Sequence, residues 1–263
     1  MEQDGEAHSV NITSQCRNIT NLTAMQIEHL KRIEISLPFV ADLAHAYLYL
    51  YVQTKEPGKM LVLKHYRPHT FFSEVELTGE GAFVSTLEEP LIAAAFAKGK
   101  FIQGQREWRF GINLEMYVQP IKCGNDVIGV VSLETGHSYA NSSNYHQLMD
   151  TALYLLDYAK KPLDKDEFHP MSPGTGIIIA DSNNRIVFAN LSANRIYRAL
   201  GIASLVGCRM QDRELSAMLH KETIDSSRPY EREIQIRDFV LVQRDIKLEE
   251  AGMLKRRIML LSD

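Results

Sequence analysis

Cys16, Cys123 and Cys208 are far apart and never form a C-x-x-C pair, so no disulfide frame or zinc site is encoded locally and they read as reduced thiols. Cys123 has only Lys122 beside it as an activating cation, in a Cys-Gly-Asn-Asp stretch that reads as a hairpin turn, so an inert thiol is the better reading. Cys208, Arg209, Met210 and Gln211 faintly echo the flavin-adduct cysteine motif of blue-light receptors, but the asparagine before the cysteine is missing. His65 and His69 come nearest to metal-ligand spacing among nine histidines, yet they flank Arg67 and Pro68 at a strand end with no third ligand. No metal is expected. Gly79 and Gly81 make a G-x-G that lacks the P-loop lysine, a third glycine and a βαβ frame, so they read as a loop leading into the next helix. No nucleophile, base and orienting group meet in one motif, and neither a catalytic residue nor a cofactor is expected.

What remains is aromatic and polar residues at strand spacing. Tyr47, Tyr49 and Tyr51 alternate with Leu48, Leu50 and Val52, which sets three tyrosines on one face of a strand. Glu115, Tyr117 and Gln119 share one face of another. Trp108, the single tryptophan, falls between positions 103 and 113 with Arg106, Glu107 and Arg109, in what reads as a loop preceding a core strand. Aromatic faces beside a carboxylate suit a small organic cation, and the same tyrosines can also pack as core with their hydroxyls at its edge.

The elements that would hold these residues are legible from period and punctuation. Thr23 and Gln26 form a capping box, with Leu22 and Ile27 at the positions of a hydrophobic staple, so a helix starts there and presents Ile27, Leu30 and Ile33 inward until Pro38 approaches. A short helix over 39–45 precedes the tyrosine strand at 47–52, and Pro57 and Gly58 turn the chain into a returning strand at 60–66. A helix over 90–98 begins with Pro90 and ends at Gly99. Strands at 114–121 and 127–134 form a second hairpin. A long helix capped by Ser142 or Ser143 then carries a broad apolar stripe from Tyr145 to Ala159, wide enough for a sheet on one side and a partner helix on the other, or for deep burial in one domain.

Pro162, Pro170 and Pro173 stand among charges with no surviving period, so the boundary is placed in residues 161–175. After it come strands at 176–180 and 185–189 around the Ser182, Asn183, Asn184 turn and a helix capped by Asn190 and closed by Gly201. Strands near 231–236, 239–246 and 253–261 follow, with a turn at Arg237 and Asp238. The reading is α+β in two domains, each an antiparallel sheet flanked by helices. The ranges are a flexible tail at 1–21, a first domain at 22–160, a linker at 161–175 and a second domain at 176–263.

The chain's 263 residues fit two modest domains, and 45% hydrophobic against 24% charged residues is ordinary for a globular protein. A formal charge of −4 and no long basic run leave no electrostatic footprint for nucleic acid. The acidic start, with Glu2, Asp4 and Glu6, is unlike a signal peptide, and no apolar stretch approaches the roughly 18 to 20 residues that cross a bilayer, so a cytoplasmic protein without membrane contact is expected. The Asn-x-Ser/Thr triplets at Asn11, Asn18, Asn21 and Asn141 are then chance.

Two stretches resemble known families. GTGIIIADSNNRIVFANLSANRIYRALGIASLVG is similar to a PAS domain: strand, Asp-led turn, strand ending in Asn190, then Ala193 on the helix and Leu200 with Gly201. Asn184 replaces the usual turn glycine, and asparagine tolerates positive φ. The first half, from LTAMQIEHLKRIEISLPFVADLAHAYLYLY through VQPIKCGNDVIGVVSLETG, resembles the GAF-like amino-terminal domain of a group of cytosolic sensor histidine kinases that includes ethanolamine-utilisation kinases of Firmicutes and a widespread actinobacterial kinase.

The resemblance implies a signal-input region that binds a small ligand, works as a homodimer and regulates autophosphorylation of a downstream kinase module, which passes phosphate to an ANTAR-type response regulator. No acceptor-histidine helix or ATP-site box is present, so the expectation is a non-enzymatic sensory part of a protein-histidine kinase. It also implies a pocket between a sheet face and the helices and loops over it, for which Tyr47, Tyr49, Tyr51, Trp108, Glu115, Tyr117 and Gln119 are the candidates. The ethanolamine relatives raise a small amine as ligand. Two other readings stay open: a GAF-fold enzyme such as a methionine sulfoxide reductase, which needs a reactive cysteine pair, and the sensor half of a one-component transcription regulator.

Overall fold

The computed structural model describes residues 11–70, 78–109, 111–136, 144–158, 168–199, 201–210, 231–236 and 239–262. The start of the expected tail at 1–10, the capping serines Ser142 and Ser143, residues 161–167 of the expected linker and the Arg237–Asp238 turn lie outside these.

Residues 12–19 correct the expectation of a flexible tail reaching to 21. They form helix α1 (Ile12–Ile19), capped by the Asn11 side chain, which accepts from the Thr13 N–H at 2.9 Å. Ile12, Cys16 and Ile19 recur at i, i+4 and i+7, and the first two are buried in the main core. Polar neighbours hid a stripe only three residues long.

Helix α2 (Ala24–Glu34) begins as its capping box requires: Thr23 Oγ1 accepts from the Gln26 N–H, and Gln26 Oε1 accepts from the Thr23 N–H. Helix α3 (Leu37–Ala44) takes Pro38 in its first turn, where a missing N–H costs nothing, and ends at His45 in the left-handed region with φ 47°. The first sheet contains β1 (Tyr47–Gln53), β2 (Lys59–Tyr66), β3 (Phe83–Ser85), β4 (Ile102–Arg109), β5 (Ile112–Cys123) and β6 (Asp126–Gly136), with helix α4 (Pro90–Lys98) between β3 and β4. Its order is β3-β2-β1-β6-β5-β4, and every pairing is antiparallel.

Helix α5 (Tyr145–Tyr158) follows, and its Tyr145 hydroxyl donates to the carbonyl of Ala44 at 2.7 Å, fixing it against the end of α3. The second sheet has β7 (Gly176–Ala180), β8 (Ile186–Ala189), β9 (Glu231–Ile236), β10 (Phe239–Glu250) and β11 (Met253–Ser262), with helix α6 (Leu191–Ala199) after β8. Its order is β8-β7-β11-β10-β9, again antiparallel throughout. Asn184 does adopt positive φ, 56°, while Asp181 Oδ1 closes the turn by accepting from the N–H groups of Asn183 and Arg185. Asn190 caps α6 by accepting from the Ala193 N–H, and its oxygen also accepts from Ile177.

The fold is α+β. One face of the first sheet lies under α1, α2, α3 and α5, and the other under α4. The main core runs on without a break into Ile177, Ile179, Ile258 and Leu260 of the second sheet, so the broad stripe of α5 is covered within its own chain. Residues 168–175, part of the expected linker, contribute two buried anchors. Phe168 meets Phe39 edge-on at 5.3 Å between centroids, and Met171 enters the same core.

Candidate ligand site

Strand pairing decides which residues share a face, because residues directly opposite in an antiparallel sheet point the same way. Tyr47 stands opposite Glu134, which stands opposite Met116, which stands opposite Gly104; beside that row, Tyr49, Ser132 and Val118 align. This face looks towards α4. Tyr47, Tyr49 and Tyr51 are all buried there, with the Tyr49 and Tyr51 rings 6.0 Å apart.

Glu115, Tyr117 and Gln119 lie on the other face. Their cross-strand partners are Thr135, Leu133 and Val131, and Tyr117 packs against the main core under the helices. Glu115 accepts from the Gln105 side chain at 2.5 Å. The two sets that the sequence analysis grouped into one pocket are therefore separated by the thickness of the sheet. Trp108 is also displaced from its expected loop: it belongs to β4, a strand hidden because its glutamine, arginine and glutamate residues show no apolar alternation. It is half-buried, two residues on from Arg106.

The charged groups on the tyrosine face are ones the sequence analysis did not single out. Arg106 on β4 donates from Nη1 to Glu89, the residue before α4, and from Nη2 to Glu134 on β6. Glu134 is 1% exposed, and its other oxygen accepts from the Ser132 hydroxyl at 3.0 Å. A sequence signal existed. Ser132 and Glu134 are alternate polar residues in an otherwise apolar strand, and a buried carboxylate needs a partner.

One guanidinium faces two carboxylates, so the fully ionised cluster carries a net negative charge. Burial pushes the Glu134 carboxyl up to about 7, against the pull of Arg106 and with Glu89 adding to the rise. Glu89 is raised by burial as well. Burial opposes the charge on Arg106, but the two carboxylates outweigh it and its pKa rises. Tyr49 and Tyr51 are raised far above the ordinary tyrosine range, chiefly by burial and then by Glu134. A buried site short of positive charge, walled by aromatic rings, takes up either a proton or a cation.

Gly104 lets α4 close over this face, since a Cβ there would lie 2.8 Å from Leu91 Cδ1. Cys16 is fully buried and its pKa is pushed up to about 11, the reverse of a reactive thiolate. Among the described residues no group of three or more His, Cys, Asp or Glu is placed to hold a metal ion, and no helix is long and apolar enough to cross a membrane. A separate cleft of about 570 Å³ opens at the far end of the sheet between Gln26, Lys98, Lys122 and Asp126. It is lined mainly by exposed polar groups and lacks the buried charge of the Glu134 cluster.

A solved sensor region of a sensor histidine kinase aligns with 96% of this chain and 97% of its own length at 18% identity and a TM-score of 0.63, and the two share a fold. The GAF domain of the Acinetobacter phosphoenolpyruvate-protein phosphotransferase aligns with 53% of this chain and 94% of its own at 14% identity and a TM-score of 0.32. No curated protein gives a match. The family described as histidine kinase PdtaS, GAF domain, matches residues 12–152, from the first turn of α1 to the middle of α5. That match spans more than half of the sequence, and the chain belongs to the PdtaS histidine kinase GAF-domain family.

Proposed function

We propose that this chain is the cytoplasmic signal-input region of a two-component sensor histidine kinase, and that its first sheet binds a small organic cation, a small amine, on the face of Tyr47, Tyr49 and Tyr51. The observation that carries the ligand class is the Glu89–Arg106–Glu134 cluster, in which, among the described residues, one cation serves the buried carboxylate of Glu134 and the partly buried one of Glu89. An ammonium group would complete the charge balance and lie against aromatic faces, an interaction worth up to about 2 kcal/mol when desolvated. Glu134 takes the role first assigned to Glu115.

The order of the second sheet and the Asn190 cap support reading residues 176–263 as a PAS domain. The ligand acts by binding two states of the protein with different affinity, and so shifts autophosphorylation of the parent kinase and phosphate flow to an ANTAR-type regulator. A homodimer is the assembly in which paired helices carry such a shift. Light scattering at micromolar concentration should give twice the 29.9 kDa chain mass, and a monomer would remove the dimer from the proposal.

Ethanolamine titrated into the protein while following Trp108 fluorescence and melting temperature tests the site. Saturable binding that is lost in Glu134→Gln and kept in Glu115→Gln is the expected result. No response at millimolar ethanolamine or methylamine would overturn the amine reading.

A further inference from the structure

The last turn of α3 gathers hydrogen bonds from four other parts of the chain. Asp42 is 0% exposed, and its carboxylate is divided between two of them: one oxygen accepts from the main-chain N–H of His69, after β2, and the other from that of Met171, ahead of β7. The Thr70 hydroxyl donates to the Asp42 carbonyl at 3.1 Å. That uses its one proton, so His45 Nδ1, 2.7 Å away, is the donor to the Thr70 oxygen. From the sheet, Thr135 Oγ1 donates to the His45 carbonyl at 3.4 Å and is also hydrogen-bonded to Tyr145, whose own hydroxyl donates to Ala44.

This junction adjoins the Glu134 site through the main chain on two sides. Thr135 follows Glu134 directly, and His45 lies two residues before Tyr47, the strand partner of Glu134. On the third side His65, four residues before His69, faces Tyr49 with the two rings 6.3 Å apart. The far partner leads to the second sheet. Met171 is 3% exposed, and Arg244 of β10 donates from Nη1 to the carbonyl of His169 at 3.3 Å, so the segment at 168–171 is held by α3 on one side and by β10 on the other. A carboxylate can accept at both ends, whereas an asparagine amide accepts at one end and presents N–H groups at the other.

We propose that Asp42 is the positioning residue that couples the tyrosine face to the second sheet: an amine at Glu134 favours the form in which segment 168–171 is docked on the Asp42 carboxylate. The strand ends that carry Glu134 and Tyr47 also carry Thr135 and His45, so order imposed on the first pair is imposed on the second. The ligand then binds the docked form more tightly than the undocked one, which is what coupling requires. The proposal rests on the amine reading of that face and adds how its occupancy reaches the second sheet.

Amide hydrogen exchange on the ¹⁵N-labelled 263-residue chain, with and without saturating ethanolamine, is the test. The rate at Met171 is divided by the rate at Ile179 in β7, which removes any uniform stabilisation by the ligand. In the wild type this ratio should fall about fivefold on binding, and in Asp42→Asn the fall should vanish while ethanolamine still binds saturably. Thr70→Val, which cuts the loop contact and leaves Asp42 in place, should shrink the fall and serves if Asp42→Asn does not fold. Without ligand, Thr135→Val should raise the ratio in the wild type and leave it unchanged in the Asp42→Asn background. A ratio unmoved by bound ethanolamine overturns the proposal. So does a fall that survives in Asp42→Asn, which would make Asp42 a structural residue only. If no amine binds the wild type, the amine reading fails and the ligand-free cycle decides: additive effects of Thr135→Val and Asp42→Asn overturn the coupling, and non-additive effects uphold it.

Discussion

The Asp42 carboxylate, wholly buried on α3, accepts a hydrogen bond from the main-chain N–H of Met171 at 2.8 Å, across 129 residues of sequence. Its other oxygen accepts the N–H of His69, in the loop after β2. A single side chain thus ties the loop leaving the tyrosine hairpin to the segment that enters the second sheet. Burial raises the pKa of this carboxyl while the two N–H groups and His69 draw it down. Removing the acceptor in Asp42→Ala would leave the buried Met171 N–H unsatisfied and free the partly exposed His69 N–H to water, a loss of about 1 to 3 kcal/mol. Urea denaturation should show that loss, together with faster hydrogen exchange at the Met171 amide.

Glu134 makes stability depend on pH in a definite direction. Its folded pKa of about 7 lies above the unfolded value of about 4.3, so the folded chain holds this proton more tightly. The associated stability is fully present below pH 4.3 and is lost as pH rises towards 7, about 4 kcal/mol in all. Glu89 and Asp42, also raised, act with the same sign, while the lowered pKa of His45 and His65 acts against it. The difference between wild type and Glu134→Gln isolates the one group. Thermal melts from pH 5 to 8 should show the wild type losing ground steadily to the variant.

The same proton governs the proposed amine site. An ammonium ion binds the ionised carboxylate, so ethanolamine affinity should rise with pH up to about 7 and then level off, with a proton released on binding below that pH. Calorimetry in two buffers of different ionisation enthalpy measures the proton count. Affinity that is flat from pH 5.5 to 8 would take Glu134 out of the site.

Among the described residues Arg106 is the one cation paired with Glu89 and Glu134, so Arg106→Met should leave the buried Glu134 and the partly buried Glu89 uncompensated and cost about 3 to 5 kcal/mol. Adding Glu134→Gln and Glu89→Gln to that variant should recover most of the loss. Chemical denaturation of the Arg106→Met variant and of the triple variant checks both statements.

Gly176 on β7 is a packing prediction free of charge effects. A Cβ there would lie 3.2 Å from the backbone N and Cα of Ala193 on α6, atoms that cannot rotate away. Gly176→Val should destabilise the second sheet by about 1 to 3 kcal/mol, measured as an earlier thermal transition.

Local chemistry accounts for what could be read before the fold was known. Thr23 with Gln26, Asn190 before its helix, the tyrosine alternation and Gly99 all act within a few residues of themselves, so their signals are complete in a short stretch of sequence. The α+β class and nearly all of the strands followed from such signals. Helix α1 and strands β3 and β4 did not, because a short polar helix, a three-residue edge strand and a strand rich in arginine and glutamate are stabilised by what they pack against or pair with, which lies far off in the chain. The candidate site divides along the same line. Alternation correctly placed Tyr47, Tyr49 and Tyr51 together and Glu115, Tyr117 and Gln119 together, since period two is a property of one strand. Which of the two sets faces α4 is set by cross-strand register, and Tyr49 opposite Ser132 opposite Val118 assigns them to opposite sides. The meeting of Glu89, Arg106 and Glu134, and the reach of Asp42 to Met171, were decided only in the tertiary structure. Desolvation is what gives those charges their effect, and it exists only once sheet, helix and connecting segment have closed over them.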